Sequence, residues 1–277
     1  MAKQLFADHA ERGQRGQWQL EDLPWDEPVE FCGESAREKA LNKLDLLEVA
    51  QSLYHFQLGA RIRMGDHLVR SWLDDEPLAE CLEWHDLDDQ RHIRGLRRLM
   101  VTLRNAGPDI SRNATKIDPR RMWQVSHGAP SRPDDDRLLL RLLVDEFVCR
   151  ALFGQVGRRS HVPLVKALFN ACAQDDERHV GYLSDLHRSR SAASGTLGRT
   201  LQQASTVAHV ARVQNAFRPY LRSFAGATHS SHDDVAIEIF RAISQGLSAT
   251  GPAWERSPLA RLIHTADRSP WLLWLLR

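Results

Sequence analysis

Two five-residue segments constrain this chain more than any other feature: Asp88-Asp89-Gln90-Arg91-His92 and Asp175-Asp176-Glu177-Arg178-His179. Four of the five positions are identical, the fifth exchanges Gln for Glu, and the copies lie 87 residues apart. Both sit in stretches whose apolar residues recur at helical spacing. On a helix, residues three apart share a face. Each copy therefore projects a carboxylate and an imidazole in one direction, Asp89 with His92 and Asp176 with His179.

The surrounding pattern is helical throughout, and no segment alternates as a strand would. Ser35 and Glu38 form a capping box at the start of a helix over about 34–66. A second helix covers about 76–105, with Pro77 in its first turn and Gly107-Pro108 at its end. Residues 107–133 read as a long crossover loop. A third helix starts at Asp134, and a fourth spans about 162–189 with Pro163 in its first turn. Residues 189–198 read as a linker, and weaker helical stretches follow at about 198–224, 232–248, 257–266 and 270–276. Residues 1–33 read as an irregular arm that packs Trp18 and Trp25 on the body. The expected organisation is one domain: the arm at 1–33, a bundle at 34–189, and a helical extension at 190–277 packing on it. Two long helix pairs joined by a longer crossover outline a four-helix bundle.

Each copy of the repeat lies in the second helix of its pair. The first helix of each pair offers an acid in an apolar setting: Glu48 in LDLLEVAQSL, with Asp45 as its competitor, and Glu146 in LLVDEFVCRAL, with Asp145 as its competitor. Two carboxylate–imidazole pairs plus one acid from each partner helix would place four carboxylates and two histidines inside the bundle. Such acids repel severely when buried unless cations neutralise them. Mixed carboxylate and imidazole donors suit iron or manganese. The four cysteines are scattered without a CxxC, which disfavours a thiolate site and fits a reducing, cytoplasmic setting.

This pattern resembles the ferritin-like non-haem di-iron carboxylate superfamily, whose DExRH motif is similar to DDQRH and DDERH here. The resemblance covers about 35–189. It implies an all-α, ferritin-like four-helix bundle with extra C-terminal helices and two iron ions, or a manganese–iron pair. The implied ligands are Glu48, Asp89, His92, Glu146, Asp176 and His179. It also implies that Asp88 and Asp175 orient His179 and His92, and that Arg91 and Arg178 neutralise part of the buried acid. The chain departs from the family where both motif ligands are Asp rather than the usual Glu. His85 lies one turn before Asp89, which gives a weak likeness to the arylamine N-oxygenase branch; His85 and His55 are candidate extra ligands. The implied activity is O2-dependent oxidation of a small organic molecule by hydroxylation, N-oxygenation or desaturation. No nicotinamide or flavin fingerprint is visible, so electrons would come from an external donor.

Other features read more plainly. His229 and His232 look like surface residues beside a helix capped by Ser231 or Asp233. Tyr54 and Tyr182 do not stand at the offset of a radical tyrosine. The tail SPWLLWLLR reads as a packed terminal helix or a homodimer contact. Thirty-seven basic residues balance 36 acidic ones, which argues against nucleic acid as a partner. The pairs Arg97-Arg98, Arg120-Arg121 and Arg158-Arg159 keep a tRNA-modifying hydroxylase as the alternative, beside a helical interaction protein with a degenerate site. No apolar run reaches the ~18–20 residues of a membrane span.

Overall fold

The capping box at Ser35 forms: the Glu38 N–H donates to Ser35 Oγ at 3.2 Å, and the Ser35 N–H donates to Glu38 Oε2 at 3.0 Å. It opens one of eight α-helices in a computed structural model that describes residues 2–72, 76–110, 135–191 and 196–249. These are α1 (Ala2–Arg15), α2 (Ala36–Trp72), α3 (Glu76–Asn105), α4 (Asp135–Arg159), α5 (Pro163–Ser191), α6 (Thr196–Phe217), α7 (Leu221–Thr228) and α8 (His232–Ala249). No strand occurs among the described residues. The fold is all-α, as the periodicity requires. Most of the crossover loop and the helices expected at 257–266 and 270–276 lie outside the described residues, as does the tail.

The arm differs from expectation. Residues Ala2–Arg15 are helical, because Phe6, Ala10 and Gly13 recur on one face and bury it against α3 and α5. Only the segment after Arg15 lacks α-helix, with one 3-10 turn at Leu20–Asp22, and it carries both indoles. The Trp25 Nε1–H donates to the Leu20 carbonyl at 2.5 Å, and Arg98 lies over the Trp25 ring at 4.1 Å. That stacking engages one of the arginines that had kept the nucleic-acid alternative open.

The helix α4 is the centre of the fold. Every residue from 139 to 149 is buried. Apart from Arg141, Asp145 and Glu146 that run is apolar on every face, so the helix must be enclosed, and α4 is enclosed by α5, α6, α7 and α8 with α2 alongside. Burial of side chains such as Phe147, Val148, Leu152 and Phe153 stabilises this arrangement by roughly 1.5–3 kcal/mol each. Gly246 of α8 lies directly over the Phe147 ring, where any Cβ would collide.

The pairs α2–α3 and α4–α5 pack side by side. Two contacts fix the register of the first pair as antiparallel. At one end the Lys43 ammonium, 1% exposed, donates to the carbonyls of Arg104, Ala106 and Pro108 at 3.0, 2.6 and 2.8 Å. It satisfies carbonyls at the end of α3 and complements the helix dipole there. At the other end Arg61 pairs with Asp86 at 2.6 Å.

The contact between α2 and α7 contains a protonation site. Burial and the neighbouring Glu48 charge raise the Asp45 pKa from 3.8 to about 7, against the opposing pull of Arg222 and a hydrogen bond with Ser223. The folded chain thus holds a proton that the unfolded chain has released. Stability from this site is complete below the ordinary carboxylate pKa and is lost as pH rises through about 7. Asp45→Asn is expected to remove that loss and raise stability at mildly alkaline pH by about 1 kcal/mol, after discounting for solvent screening. Thermal melts on either side of neutrality check it; a gain confined to acidic pH would contradict the sign.

Candidate metal centre

The helix α3 presents His85, Asp89 and His92 on one face, at spacings of four and three. Glu146 of α4 and Asp176 and His179 of α5 meet them. The six side chains form a closed ring in which imidazoles and carboxylates alternate. His85 Nε2 lies 3.3 Å from Glu146 Oε1, and Glu146 Oε2 lies 3.1 Å from His179 Nδ1. His179 Nδ1 is 3.8 Å from Asp176 Oδ1, which is 3.7 Å from His92 Nδ1. His92 Nδ1 is 4.0 Å from Asp89 Oδ1, and Asp89 Oδ2 is 3.7 Å from His85 Nε2. All six side chains are buried.

The electrostatics are those of a site short of positive charge. Burial, and then the Glu146 charge, push the Asp89 and Asp176 carboxyls well above the usual range. Burial also acts to raise Glu146, but His85 and His179 outweigh it and hold Glu146 below its usual value. Burial and the nearby His179 lower His85 to about 4. Burial lowers His92, whereas for His179 the hydrogen bond and charge of Glu146 overcome it and raise the pKa.

A shell of hydrogen bonds behind the ring turns each imidazole toward its centre. The His92 Nε2–H donates to Asp175 Oδ2 at 2.9 Å, and the His179 Nε2–H donates to Asp88 Oδ2 at 3.2 Å. Each repeat thus steadies the histidine of the other. Arg91 pairs with Asp88, and Arg178 bridges Asp88 and Asp175. His85 Nδ1 is hydrogen-bonded to the Tyr182 hydroxyl at 2.5 Å, and its ring stacks on His179 at 3.7 Å. With their outer nitrogens engaged, the three imidazoles leave His85 Nε2, His92 Nδ1 and His179 Nδ1 facing the ring.

Two further partners come from the arm. The Trp18 Nε1–H donates to Asp175 Oδ2 at 2.8 Å, and the Gln17 amide donates to Asp88 Oδ1 at 3.2 Å. Arg91 also reaches Gln17 Oε1 and the Trp18 carbonyl, and lies over the Trp18 ring at 5.2 Å. Sequence reasoning placed Trp18 on the body but missed both contacts. The one available signal was general: a buried indole N–H seeks an acceptor.

The acids of the partner helices divide. Glu146 joins the ring, while its neighbour Asp145 accepts from the His209 Nε2–H at 2.7 Å. Glu48 does not join it. Ser223 Oγ of α7 donates to Glu48 Oε2 at 2.5 Å. The register set by Lys43 and Arg61 puts Glu48 near the level of Leu99, about 10 Å along α3 from His92 at 1.5 Å per residue. His55 stands near the His92 level, half-buried, with burial lowering its pKa and its Nδ1 without a hydrogen-bond partner among the described residues. It packs edge-on to Tyr54 at 5.0 Å and is not part of the ring. The ring therefore holds three carboxylates and three imidazoles, with His85 present and Glu48 absent.

The donor set fits divalent metal ions. His85, Asp89, Glu146 and His179 each offer a donor atom within 4.8 Å of the others. Asp89 Oδ1, His92 Nδ1 and both Asp176 oxygens are buried without a hydrogen-bond partner among the described residues. Buried polar atoms are rarely left so, and a cation is the partner that suits carboxylate and imidazole lone pairs together.

No family profile and no curated protein matches the sequence. Solved structures do match. A valine-to-alanine variant of an R2-like ligand-binding oxidase with an anaerobically reconstituted Mn/Fe cofactor superimposes with a TM-score of 0.61 at 10% identity, over 88% of this chain and 93% of the other. A glycine-to-leucine variant with an aerobically reconstituted Fe/Fe cofactor gives 0.57 at 9% identity, over 87% and 91%. An aerobically reconstituted Mn/Fe form after a long soak gives 0.56 at 11% identity, over 87% and 91%. With so few identical residues the likeness is one of architecture: this chain has the ferritin-like helical fold of the R2-like ligand-binding oxidases.

Proposed function

We propose that the chain is a dinuclear-metal oxidase, with iron–iron or manganese–iron, that uses O2 to oxidise a small organic molecule. One observation carries this reading: a buried ring of three carboxylates and three imidazoles in which four donor atoms have no hydrogen-bond partner among the described residues. The Mn/Fe and Fe/Fe cofactors of the solved relatives agree with it. Two such ions would supply Lewis acidity and the reducing equivalents for dioxygen.

The chain's own residues have distinct tasks in this reading. Asp89, Glu146, Asp176, His85, His92 and His179 hold the ions. Asp88, Asp175 and Tyr182 fix which nitrogen each imidazole presents. Arg91 and Arg178 balance the acids behind the ring, and Trp18 and Gln17 cover that side against water. A cleft of about 280 Å³ between α6, α7 and α8 is lined by Val213, Phe217, Leu221, Ile239 and Phe240. Its apolar wall suits an organic substrate, although no ring residue lines it. Hydroxylation, N-oxygenation and desaturation all fit these parts, with an external donor supplying electrons. Among the described residues no helix is long and apolar enough to cross a membrane.

The test is anaerobic loading with Fe(II), alone or with Mn(II), followed by mixing with oxygenated buffer. Oxygen uptake that scales with bound metal and vanishes in His92→Ala is expected. Metal that binds fully yet consumes O2 no faster than free Fe(II) would sink the oxidase reading.

A further inference from the structure

Away from the ring, three side chains from distant parts of the sequence converge at the surface. Cys32 lies in the segment leading into α2, His161 in the short turn between α4 and α5, and His229 at the C-terminal cap of α7. Their donor atoms all lie within 4.8 Å of one another. The two imidazole centroids are 5.2 Å apart, tilted by 58°. The sequence reads His229 as a surface residue; the fold brings His161 and Cys32 to it.

From this we infer that Cys32, His161 and His229 form a second metal site, separate from the ring, that binds one zinc ion with water in the fourth position. Three protein donors and an open place are a common zinc arrangement, with bonds of about 2.3 Å to sulfur and about 2.0–2.1 Å to nitrogen. The donors already lie within 4.8 Å of one another, and both imidazoles are exposed, so only a modest closing separates them from that spacing. A thiolate with two imidazoles is a softer set than the carboxylate-rich ring, and it favours zinc over iron or manganese.

The backbone holds the donors in place independently of any ion. Phe31 is buried against Gly107 on one side of Cys32, and the Cys32 N–H donates to Asn42 Oδ1 at 3.2 Å. His229 has φ 50° and ψ 41°, a left-handed conformation, and its N–H closes α7 on the carbonyls of Ala225 and Gly226. Glycine usually fills such a cap, because a β-carbon is strained there. Among the described residues none of the three donor side chains has a hydrogen bond or an acidic partner, so no ion pair accounts for their meeting. A bound ion would pin the arm, the α4–α5 turn and the α7 cap together.

The test uses the full chain and Co(II), whose thiolate complexes show a charge-transfer band that carboxylate and imidazole ligands do not give. The band should appear in the wild type, vanish in Cys32→Ser, and require at least about tenfold more Co(II) in His161→Ala. It should survive in His179→Ala, which disables the ring, so this result is independent of the oxidase reading. Zn(II) should raise the thermal midpoint of the wild type by more than that of Cys32→Ser. Absence of the band in the wild type, or its persistence in Cys32→Ser, would overturn the proposal; persistence would place the thiolate at Cys81, Cys149 or Cys172.

Discussion

His179→Ala and His85→Ala are each expected to lose metal affinity by more than about a hundredfold, while Glu48→Gln binds as the wild type does. The contrast follows from position. His179 Nδ1 and His85 Nε2 both face Glu146, at 3.1 and 3.3 Å, and their other nitrogens are engaged by Asp88 and Tyr182. Removing either imidazole deletes a donor and leaves a buried carboxylate with less opposing charge. Even loss of a group that only orients a ligand typically costs 10–100-fold in affinity; loss of the ligand itself costs more. Glu48 instead accepts a hydrogen bond from Ser223 and stands two turns of helix from the ring level. Elemental analysis after anaerobic loading reads the result, with about two ions per wild-type chain expected from the ligand plan. Metal lost in Glu48→Gln but kept in His85→Ala would restore the arrangement implied by resemblance and discard the one seen here.

Asp176→Asn is expected to stabilise the metal-free protein and to abolish its stabilisation by metal. Both Asp176 oxygens are buried without a hydrogen-bond partner among the described residues, and burial with the Glu146 charge pushes its pKa well above the usual range. The sign follows from linkage: the folded metal-free chain retains a proton that the unfolded chain gives up, so its stability falls as pH rises above the ordinary carboxylate range. An amide of the same shape has no such penalty, and about 1–2 kcal/mol is recovered at neutral pH. For a chain of this size that is about 2–4 °C in the thermal midpoint per kcal/mol. Metal at a hundred times its dissociation constant should stabilise the wild type by about 2.7 kcal/mol and the variant by almost nothing. The order of the two melting temperatures thus reverses on adding metal. A variant less stable without metal would mean that Asp176 makes a structural bond; equal stabilisation by metal would mean that it is not a ligand.

The parts of the site written in local periodicity were legible. Asp89 and His92, like Asp176 and His179, face one way because three residues nearly complete a turn. The crossed bonds from Asp88 to His179 and from Asp175 to His92 were not legible in periodicity; the resemblance to the ferritin-like superfamily implied them, and the structure forms them. His85 shares the face of Asp89 for the same reason, and the structure brings it into the ring. The capping box at Ser35 and the boundaries of α3 were equally local, and of the two candidate caps Ser231 and Asp233 the structure uses Ser231. The helical nature of α1 was legible in principle, from Phe6, Ala10 and Gly13 at helical spacing, but the polar residues between them hid it.

What the sequence determined by itself, then, is the helical class, the duplicated carboxylate–imidazole pairs and the donor chemistry of the centre. These depend on neighbours within one or two turns. The tertiary structure alone decided whether each partner helix contributes an acid, and which one. Asp145 and Glu146 are adjacent on α4, and only the rotation of that helix among its neighbours sends one to His209 and the other to the ring. Glu48 is removed from the centre by the sliding of α2 along α3, which Lys43 and Arg61 lock from opposite ends. The cover of Trp18 and Gln17 and the meeting of Cys32, His161 and His229 join residues far apart in the chain. Helix periodicity fixes direction within an element, whereas rotation and register between elements are set by packing, which no local pattern encodes.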